Sequence, residues 1–299
     1  MCTVMTIDQD HLLGRTMDFP PRTAWHLTYL PRGYQWRAAQ GTVSHHNRWA
    51  LLGGMRVVAG HYLIGDAVND AGLAGAELFF PVAAQYSTTV RAGTQGMTPQ
   101  DFIMWALGTH ATVHKLAADL DRVTVIDAPW YDDQRYPFHW LLMDRTGTYV
   151  IEPLGDHLHV RPNPLGVITN TPALDDQLTH LTAYLNQPVT SSAIQLAQAI
   201  ATTSQPLPVG GNSVQRFIQA AIWRWRQPPR DANELLAFLQ RVTVPHTPAH
   251  AHNYTHYQAI INIVDRQYNF YDQHSGAVVS RYLTDLMEKW PTTPQRFES

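Results

Sequence analysis

The sequence predicts an α+β fold in which largely antiparallel sheets are covered by helices. Two observations lead to this prediction. Short apolar runs bounded by turn residues, which are typical of strands, lie towards both ends of the 299-residue chain. Helical patterns lie between them and dominate from Leu174 to Leu239. Because secondary structure of the same kind resumes beyond each proline-rich loop, we expect residues 1–299 to form one domain whose helices pack on its sheets.

The first predicted element is a β-hairpin that begins at the start of the chain. Two apolar runs flank a short polar turn centred between residues 9 and 10. This register places Cys2 opposite Met17 and on the same face as Arg15, whereas a slip of one residue would bring Asp18 there. Either register puts an ionic side chain beside the thiol of Cys2.

The strands that follow are short and apolar. They are predicted at 25–30, 49–54, 62–67, 123–126, 139–143, 149–151, 167–170, 257–264, 268–271 and 278–282, with one more after the turn Asn69-Asp70-Ala71-Gly72. Their distribution supports sheets built from both halves of the chain.

Three helices have clear sequence signals. The first is expected to begin at Thr98-Pro99, where an N-cap candidate precedes a proline and an acid follows in the first turn. A second is expected at about 112–120. The third is expected at Ser213–Trp225, whose apolar stripe leaves out Arg216.

Composition limits the possible partners. Charged residues make up 15% of the chain and hydrophobic residues 44%, whereas about 25% charged residues is typical. These values predict a large buried core and surfaces that associate into a homo-oligomer. The net charge is −3 and no basic stripe or polybasic tail occurs, so neither a nucleic acid nor a membrane surface is an expected partner.

Targeting signals and cysteine usage predict a cytoplasmic protein. The start lacks the charged and apolar regions of a secretory leader, and no apolar run has membrane-spanning length. The chain has one cysteine, which rules out an internal disulfide framework.

That cysteine, Cys2, is the candidate nucleophile. Removal of Met1 would leave an α-amine, with a pKa of about 7.7–8, on the same residue as a thiol with a pKa of about 8.5. The amine can then act as the base that activates the sulfur. The alternative is that Cys2 is a small buried apolar residue, which is the commoner role of a lone cysteine.

Sixteen histidines raise the question of a metal site. His250, His252 and His256 are close in sequence, but no carboxylate follows them in a zinc-protease pattern, and a polar loop is the simpler interpretation. The His-Glu-x-x-His, Gly-x-Ser-x-Gly and glycine-rich phosphate-loop patterns do not occur. We therefore expect no metal and no cofactor.

Five short motifs occur in order along the chain. They are Met1-Cys2-Thr3, Gly14-Arg15-Thr16-Met17-Asp18, Asn69-Asp70-Ala71-Gly72-Leu73, Gly166-Val167-Ile168-Thr169-Asn170-Thr171-Pro172 and Ser213-Val214-Gln215-Arg216-Phe217. Together, and at similar intervals, they resemble the choloylglycine hydrolase family, which comprises penicillin V acylases and conjugated bile salt hydrolases. The resemblance covers essentially the whole chain.

The resemblance implies an N-terminal nucleophile hydrolase fold, a four-layer αββα sandwich of two antiparallel sheets between helical layers. It also implies roles for five residues. Cys2 would be the nucleophile and its amine the base, with Arg15 beside the thiolate. Asp18 would hold the amine, Asn170 would donate to the oxyanion, and Arg216 would stabilise the site from a helix.

The chain departs from the bile salt hydrolases at Phe79. Their run after the Asn-x-x-Gly turn ends in Asn-Phe-Pro, whereas this chain has Phe79-Phe80-Pro81. The backbone N–H of Phe79 can still serve as an oxyanion donor, and an aromatic residue here is more like the penicillin V acylases. Met17, Phe79 and Phe138 are candidates for an apolar acyl pocket, although core packing is the commoner role for any one such residue.

A second departure concerns assembly. The segment between Asn170 and Arg216 is shorter than in typical Gram-positive members, which carry there a loop used to form tetramers. The resemblance therefore supports a homo-oligomer without fixing it as a tetramer.

Each of the other residues has a simpler alternative role. Asn170 would be a turn cap before a proline, Arg216 a solvated helix position, and Asp18 an acid at a strand end. A non-catalytic relative that keeps Met1 and binds a ligand is the corresponding alternative for the whole chain.

The predicted function is hydrolysis of linear, non-peptide C–N amide bonds through a thioester on Cys2. Penicillin V acylase-like activity is the first expectation and bile salt hydrolysis the second. The sequence leaves open whether acyl-homoserine lactones are also substrates.

Overall fold

A computed structural model describes residues 2–20, 24–155 and 157–298, which form eighteen strands numbered here in chain order. The first nine are β1 (Thr3–Ile7), β2 (Leu12–Phe19), β3 (His26–Leu30), β4 (Gln35–Arg37), β5 (Ser44–His46), β6 (Leu51–Val58), β7 (His61–Asn69), β8 (Ala74–Phe79) and β9 (Gln95–Met97). The others are β10 (Val123–Val125), β11 (Phe138–Asp144), β12 (Gly147–Ile151), β13 (Val160–Pro162), β14 (Val167–Thr169), β15 (Tyr254–Asn262), β16 (Gln267–Asp272), β17 (Val278–Tyr282) and β18 (Gln295–Phe297).

Seven α-helices are present in the described part of the chain. They are α1 (Pro99–Thr109), α2 (Val113–Asp119), α3 (Leu174–Tyr184), α4 (Ala193–Thr202), α5 (Ser213–Arg226), α6 (Ala232–Arg241) and α7 (Leu283–Lys289). The predicted start of α1 is confirmed, because the Asp101 carboxylate accepts hydrogen bonds from the backbone N–H of Thr98 at 3.3 Å and from its hydroxyl at 2.7 Å. Within the described ranges, no helix has the length and apolar character needed to cross a membrane.

Most strands belong to two antiparallel sheets. The six-stranded sheet has the order β14-β1-β2-β15-β16-β17, and the eight-stranded sheet has the order β13-β12-β11-β8-β7-β6-β3-β18. A short parallel pair, β9 with β10, and a small hairpin, β4 with β5, lie outside them. Both large sheets combine strands from distant parts of the chain.

The two sheets pack face to face between helical layers. On one side α1 and α2 contact the eight-stranded sheet, and on the other α5 contacts β1 and β14 while α6 contacts β2 and β15. Gly14 shows how closely the last pair approaches, because a Cβ added there would lie 2.8 Å from Cδ2 of Leu235 on α6. The predicted four-layer αββα sandwich is therefore confirmed.

The register of the first hairpin brings the predicted site residues together. Thr3 pairs with Thr16 and Val4 with Arg15, which is the register centred between residues 9 and 10 and which places Cys2 across from Met17. On its other edge β1 pairs with β14, Thr3 lying opposite Thr169. Strand β1 is thus an interior strand, and the residue after Thr169 lies beside the residue before Thr3.

The structure also corrects several predicted elements. The strand expected at 49–54 is β6, which begins two residues later and extends to Val58, and the strand expected at 257–264 begins at Tyr254. The prediction missed β4, β5, β9, β18 and α7. Strands β4 and β5 are three residues long and mostly exposed, so they lack the apolar alternation by which strands are recognised.

Candidate active site

Cys2 immediately precedes β1 and is almost fully buried, with 2% of its surface exposed. Its Sγ is 3.5 Å from the carbonyl oxygen of Asp18. Its backbone nitrogen donates a hydrogen bond to Oδ1 of Asn170. Met1, whose removal the sequence analysis expects, lies outside the described residues. The thiol is therefore enclosed by the ends of β1, β2 and β14.

Arg15 lies on β2 opposite Val4, two residue pairs further into the sheet than Cys2, and is fully buried. Its Nη1 donates to the carbonyl of Gly65 and lies 3.2 Å from Oδ2 of Asp66. Burial by itself lowers the pKa of Arg15, but neighbouring negative groups, among which Cys2 has the largest effect, raise it overall. Arg15 is thus a cation that its buried partners hold in place near Cys2.

Asp66 balances that cation from the opposite sheet. Its carboxylate accepts hydrogen bonds from the hydroxyl of Tyr257 at 2.6 Å and from that of Tyr268. Burial raises the pKa of Asp66, while the Arg15 charge and the two tyrosine hydroxyls offset part of that rise. This buried cluster joins the two sheets beneath the candidate site.

Asp18 is held by polar groups from three elements. Its carboxylate accepts hydrogen bonds from the hydroxyls of Thr255 on β15 and, at 3.5 Å, of Thr16. Nη1 of Arg216 lies 4.0 Å from Oδ2. The alternative of an ordinary acid at a strand end does not account for a carboxylate that is 2% exposed and that has partners on β2, β15 and α5.

Asn170 is oriented by contacts at both ends of its amide. Oδ1 accepts the Cys2 nitrogen and, at 3.2 Å, Nη2 of Arg216, while Nδ2 donates to the carbonyl oxygen of Phe79 at 2.9 Å. Because one end of the Asn170 amide faces two donors and the other end faces an acceptor, the first end is the oxygen and the second is the nitrogen. The side chain therefore contacts distant residues and does not act as a local turn cap.

Phe79 ends β8 directly beside Asn170. Both backbone groups of its strand partner, Phe138, are bonded to the hydroxyl of Tyr86, so Phe79 and Phe138 do not bond to each other. In a strand the N–H and C=O of one residue point to the same side. Because the Phe79 carbonyl faces Asn170, its N–H faces the same region.

Arg216 is buried, so the alternative of a solvated helix position does not hold. The side chain is 2% exposed, and Nη1 donates to the carbonyl of Cys2 at 2.7 Å and to the Thr3 hydroxyl at 2.6 Å. Burial lowers the pKa of Arg216, and the charges of Asp18 and Cys2 offset part of that change. Arg216 lies off the apolar stripe because it points from the first turn of α5 into the end of β1.

Replacement of Arg216 by methionine is expected to lower the free energy of unfolding by about 3–5 kcal/mol, because it removes a buried cation that lies 4.0 Å from the Asp18 carboxylate and that donates to the Cys2 carbonyl. Urea denaturation measures the change. Arg224→Met is the matched control on the same helix, since Arg224 also bonds β1 but pairs with Asp8, whose side chain is 39% exposed. An Arg216→Met loss no larger than the Arg224→Met loss would contradict this account.

A cavity of about 400 Å³ opens beside Asn170 and Phe79. Residues from α5 and the loops near it complete its lining, namely Pro81, Thr171, Asn212, Ser213, Val214 and Asn253. Of the three predicted pocket residues, only Phe79 lines this cavity, where it is 37% exposed. Met17 and Phe138 are each 2% exposed, so the structure places both in the core, Phe138 edge-to-face with Phe79 at 6.4 Å.

A larger cavity of about 670 Å³ lies elsewhere and is lined by Trp25, His246, His256 and neighbouring residues. One of its lining residues, Thr255, donates a hydrogen bond to Asp18. We assign the site to the smaller cavity because it contains the proposed oxyanion donors. Across the described ranges, no group of three or more histidine, cysteine, aspartate or glutamate side chains could hold a metal ion.

Sequence reasoning missed the residues that support the site from distant strands. Thr255 and Tyr257 come from β15, and Gln177 on α3 donates to the carbonyl of Asn170 at 2.7 Å. Asp66 could have been identified from the sequence, because it is an acid inside an apolar strand. Such an acid is rarely buried without a partner. The others could not have been identified, because only the pairing of β15 with β2 and the packing of α3 bring them near Cys2.

The family model for linear amide C–N hydrolases of the choloylglycine hydrolase family matches residues 2–286 of the chain. The match begins at the candidate nucleophile and includes every candidate site residue.

Curated proteins with related sequences carry bile salt hydrolase names. A bile salt hydrolase/transferase from Lactiplantibacillus plantarum is 28% identical over 232 residues, which cover 74% of this chain and 70% of that protein. One from Clostridium perfringens is 27% identical over 190 residues, which cover 62% of this chain and 58% of that protein. The match thus spans less than two thirds of the Clostridium perfringens protein.

Solved structures share the fold along the full chain. A conjugated bile acid hydrolase from Clostridium perfringens superposes with a TM-score of 0.81 at 20% identity, covering 100% of this chain and 97% of that one. A penicillin V acylase from Agrobacterium tumefaciens superposes with a TM-score of 0.73 at 19% identity, covering 99% and 90%. Both are similar in fold to the sandwich described above.

Proposed function

The chain belongs to the choloylglycine hydrolase family of linear amide C–N hydrolases, and from that premise we propose that it is a cysteine-dependent N-terminal nucleophile amidohydrolase. One observation carries the proposal. The nitrogen of Cys2, the side chain of Asn170 and the guanidinium of Arg216 form a direct hydrogen-bonded chain in which Asn170 also binds Phe79. A nucleophile and two candidate oxyanion donors thus lie together at the start of an interior strand.

The proposed reaction begins at the nucleophile. The proton of the Cys2 thiol passes to the α-amine that removal of Met1 exposes, and the sulfur attacks the acyl carbonyl carbon. The amine, donating one hydrogen to Oδ1 of Asn170, keeps its lone pair for this proton. Arg15 provides the positive charge that favours the thiolate.

Negative charge then develops on the carbonyl oxygen. Nδ2 of Asn170 and the N–H of Phe79 would donate hydrogen bonds to it, and such preorganised donors are worth about 10²–10³ in rate each. As the C–N bond breaks, the ammonium of Cys2 gives its proton to the leaving amine. Water then hydrolyses the thioester with the amine again as base, and Asp18 and Arg216 hold this end of the chain in place throughout.

For the acyl group we propose an aromatic acyl amide, as in a penicillin V acylase. Phe79 supports this choice, since its aromatic ring is partly exposed beside Asn170 and packs edge-to-face against Phe138. Conjugated bile acids are the second candidate, which the names of the curated relatives favour. We propose no metal or cofactor for either reaction.

Two measurements test the proposal. Intact-mass spectrometry is expected to give a mature chain that lacks Met1, because a peptide-bonded Cys2 nitrogen could not act as base. kcat/KM is then measured for phenoxymethylpenicillin and for glycine- and taurine-conjugated bile acids, with phenoxymethylpenicillin expected to be the best substrate. A processed protein that hydrolyses none of them would refute the proposal, and a preference for bile acid conjugates would replace the first candidate by the second.

The cytoplasmic location and the homo-oligomer stay predictions from the sequence. Light scattering coupled to size exclusion measures the second directly, and a monomer at micromolar concentration would contradict it.

A further inference from the structure

A buried histidine connects the two sheets directly beneath the proposed oxyanion donors. His139 on β11 belongs to the eight-stranded sheet and is fully buried. Its Nε2 lies 2.9 Å from the carbonyl oxygen of Thr169 in the six-stranded sheet, and its Nδ1 lies 3.2 Å from Oε1 of Glu152. The reaction proposed above does not use this pair.

The partners of His139 determine where its protons lie. A backbone carbonyl can only accept, so Nε2 carries a hydrogen and donates it to Thr169. Oε1 of Glu152 already accepts the N–H of Leu174 at 2.9 Å. One more proton must lie between Nδ1 and Oε1, because two bare acceptors at 3.2 Å would repel each other. Glu152 therefore fixes the ring in the state that donates to Thr169.

His139 contacts both segments that supply the proposed oxyanion donors. Thr169 immediately precedes Asn170 in the chain. On the other side the imidazole stacks on Phe80, the residue after Phe79, with ring centroids 4.2 Å apart and planes 9° apart. One ring thus sets the spacing between two segments that come from different sheets.

The same pair also supports Asn170 from behind. The carboxylate of Glu152 accepts the first N–H of α3 at Leu174. From that helix Gln177 donates to the carbonyl of Asn170 and accepts from the Thr169 hydroxyl at 3.1 Å. The Thr169 carbonyl, which precedes the Asn170 nitrogen, is therefore bonded to His139. The Asn170 carbonyl is bonded to α3, the helix whose first N–H is bonded to Glu152.

We propose that His139, kept in its donating state by Glu152, is a positioning residue that sets the distance between Asn170 and Phe79 in the oxyanion site. This inference rests on the proposed function. It assigns to the buried pair an effect on the transition state, in addition to its contribution to folding.

His139→Phe tests the inference, because phenylalanine keeps the stack on Phe80 and removes only the hydrogen bonds. We expect kcat for the preferred amide substrate to fall about 10- to 100-fold with KM nearly unchanged, since misplacing catalytic groups by about 1 Å costs about 10². Inhibition by the aldehyde analogue of the acyl group, which forms an oxyanion on Cys2, is expected to weaken in proportion. Alkylation of Cys2 by iodoacetamide, which forms no oxyanion, is expected to keep its rate.

His110→Phe is the matched control. His110 is also buried and also lies between a backbone carbonyl, that of Ala106, and a carboxylate, that of Asp119, but it is at the end of α1 and does not contact Asn170 or Phe79. It is expected to lower stability without changing kcat. If His139→Phe does not fold, Glu152→Gln provides the same test. A smaller loss is expected, because the imidazole and its bond to Thr169 can stay in place while the carboxylate that fixes the ring is replaced.

Crystal structures of the wild type and the variant separate this inference from the proposed function. The distance from Nδ2 of Asn170 to the Phe79 carbonyl, 2.9 Å here, is expected to lengthen in His139→Phe. An unchanged distance, or a kcat no lower than that of His110→Phe, would overturn the inference. An inactive wild type would refute the proposed function instead, and the distance would still decide the positioning role.

Discussion

Replacement of Cys2 by alanine is expected to leave the protein folded and to reduce kcat for amide hydrolysis on the order of 10⁶-fold, the loss seen when a hydrolase loses its nucleophile. Cys2 contributes one small buried side chain whose sulfur makes a long hydrogen bond, 3.5 Å, to the Asp18 carbonyl, so we expect little stability to depend on it. Alanine is also small enough to allow removal of Met1. Steady-state kinetics together with circular dichroism measure both parts of the prediction.

Because the chain has one cysteine, thiol chemistry provides an internal control. Incorporation of one iodoacetamide per chain is expected to follow the loss of activity in the wild type and to be absent in Cys2→Ala. Turnover by Cys2→Ala at more than a thousandth of the wild-type rate would exclude the thioester route.

The second large effect is expected at Asn170. Asn170→Ala removes the side-chain oxyanion donor and is expected to lower kcat about 10²–10³-fold, with a much smaller change in KM. Asn170→Asp is expected to be impaired at least as strongly. It keeps the acceptor for the Cys2 nitrogen and for Arg216 but places a carboxylate where the donor should be.

Asn163→Ala is the control for the loss of a buried amide. Asn163 lies before β14, is 2% exposed and donates to the Val167 carbonyl at 2.9 Å, without contact to Cys2 or Phe79. It is expected to lower the melting temperature and to leave kcat unchanged. Equal kcat values for Asn163→Ala and Asn170→Ala would refute the donor role.

The parts of the fold determined by local sequence were predictable. The β1–β2 hairpin followed from a single short turn with apolar runs on both sides, whereas the choice between its two possible registers came only from the structure. The start of α1 followed from Thr98, Pro99 and Asp101. The four-layer sandwich required more than local patterns, since only the order of motifs along the whole chain indicated it.

The arrangement of the site depends on pairing between distant segments. Asn170 lies beside Cys2 because β14 adds to the outer edge of β1, and Thr255 lies beside Asp18 because β15 returns to β2. The local sequence pattern of each of these strands does not indicate which distant strand pairs with it. This is why the sequence identified Asn170 and Asp18 by motif but did not anticipate the bond from Asn170 to the Cys2 nitrogen.

Arg216 shows a limit of the helix-face argument. Periodicity separates apolar from polar faces, but it cannot distinguish a solvated cation from a buried one that bonds to main-chain carbonyls. Two of the residues that Arg216 contacts, Cys2 and Thr3, lie more than two hundred residues earlier in the chain. The same limit applied to Met17 and Phe138, whose apolar character was equally compatible with a pocket and with the core.

The interior position of β1 has a practical consequence for producing the protein. A purification tag fused ahead of Cys2 would be attached where β14, β1 and β2 bury that residue. It would also keep the cysteine nitrogen as a peptide amide. Strand β18, by contrast, lies at the edge of the eight-stranded sheet with Arg296 exposed to solvent. A cleavable handle therefore belongs on the side of β18 that leads away from the sheet, where affinity capture and enzyme assays can use the same preparation.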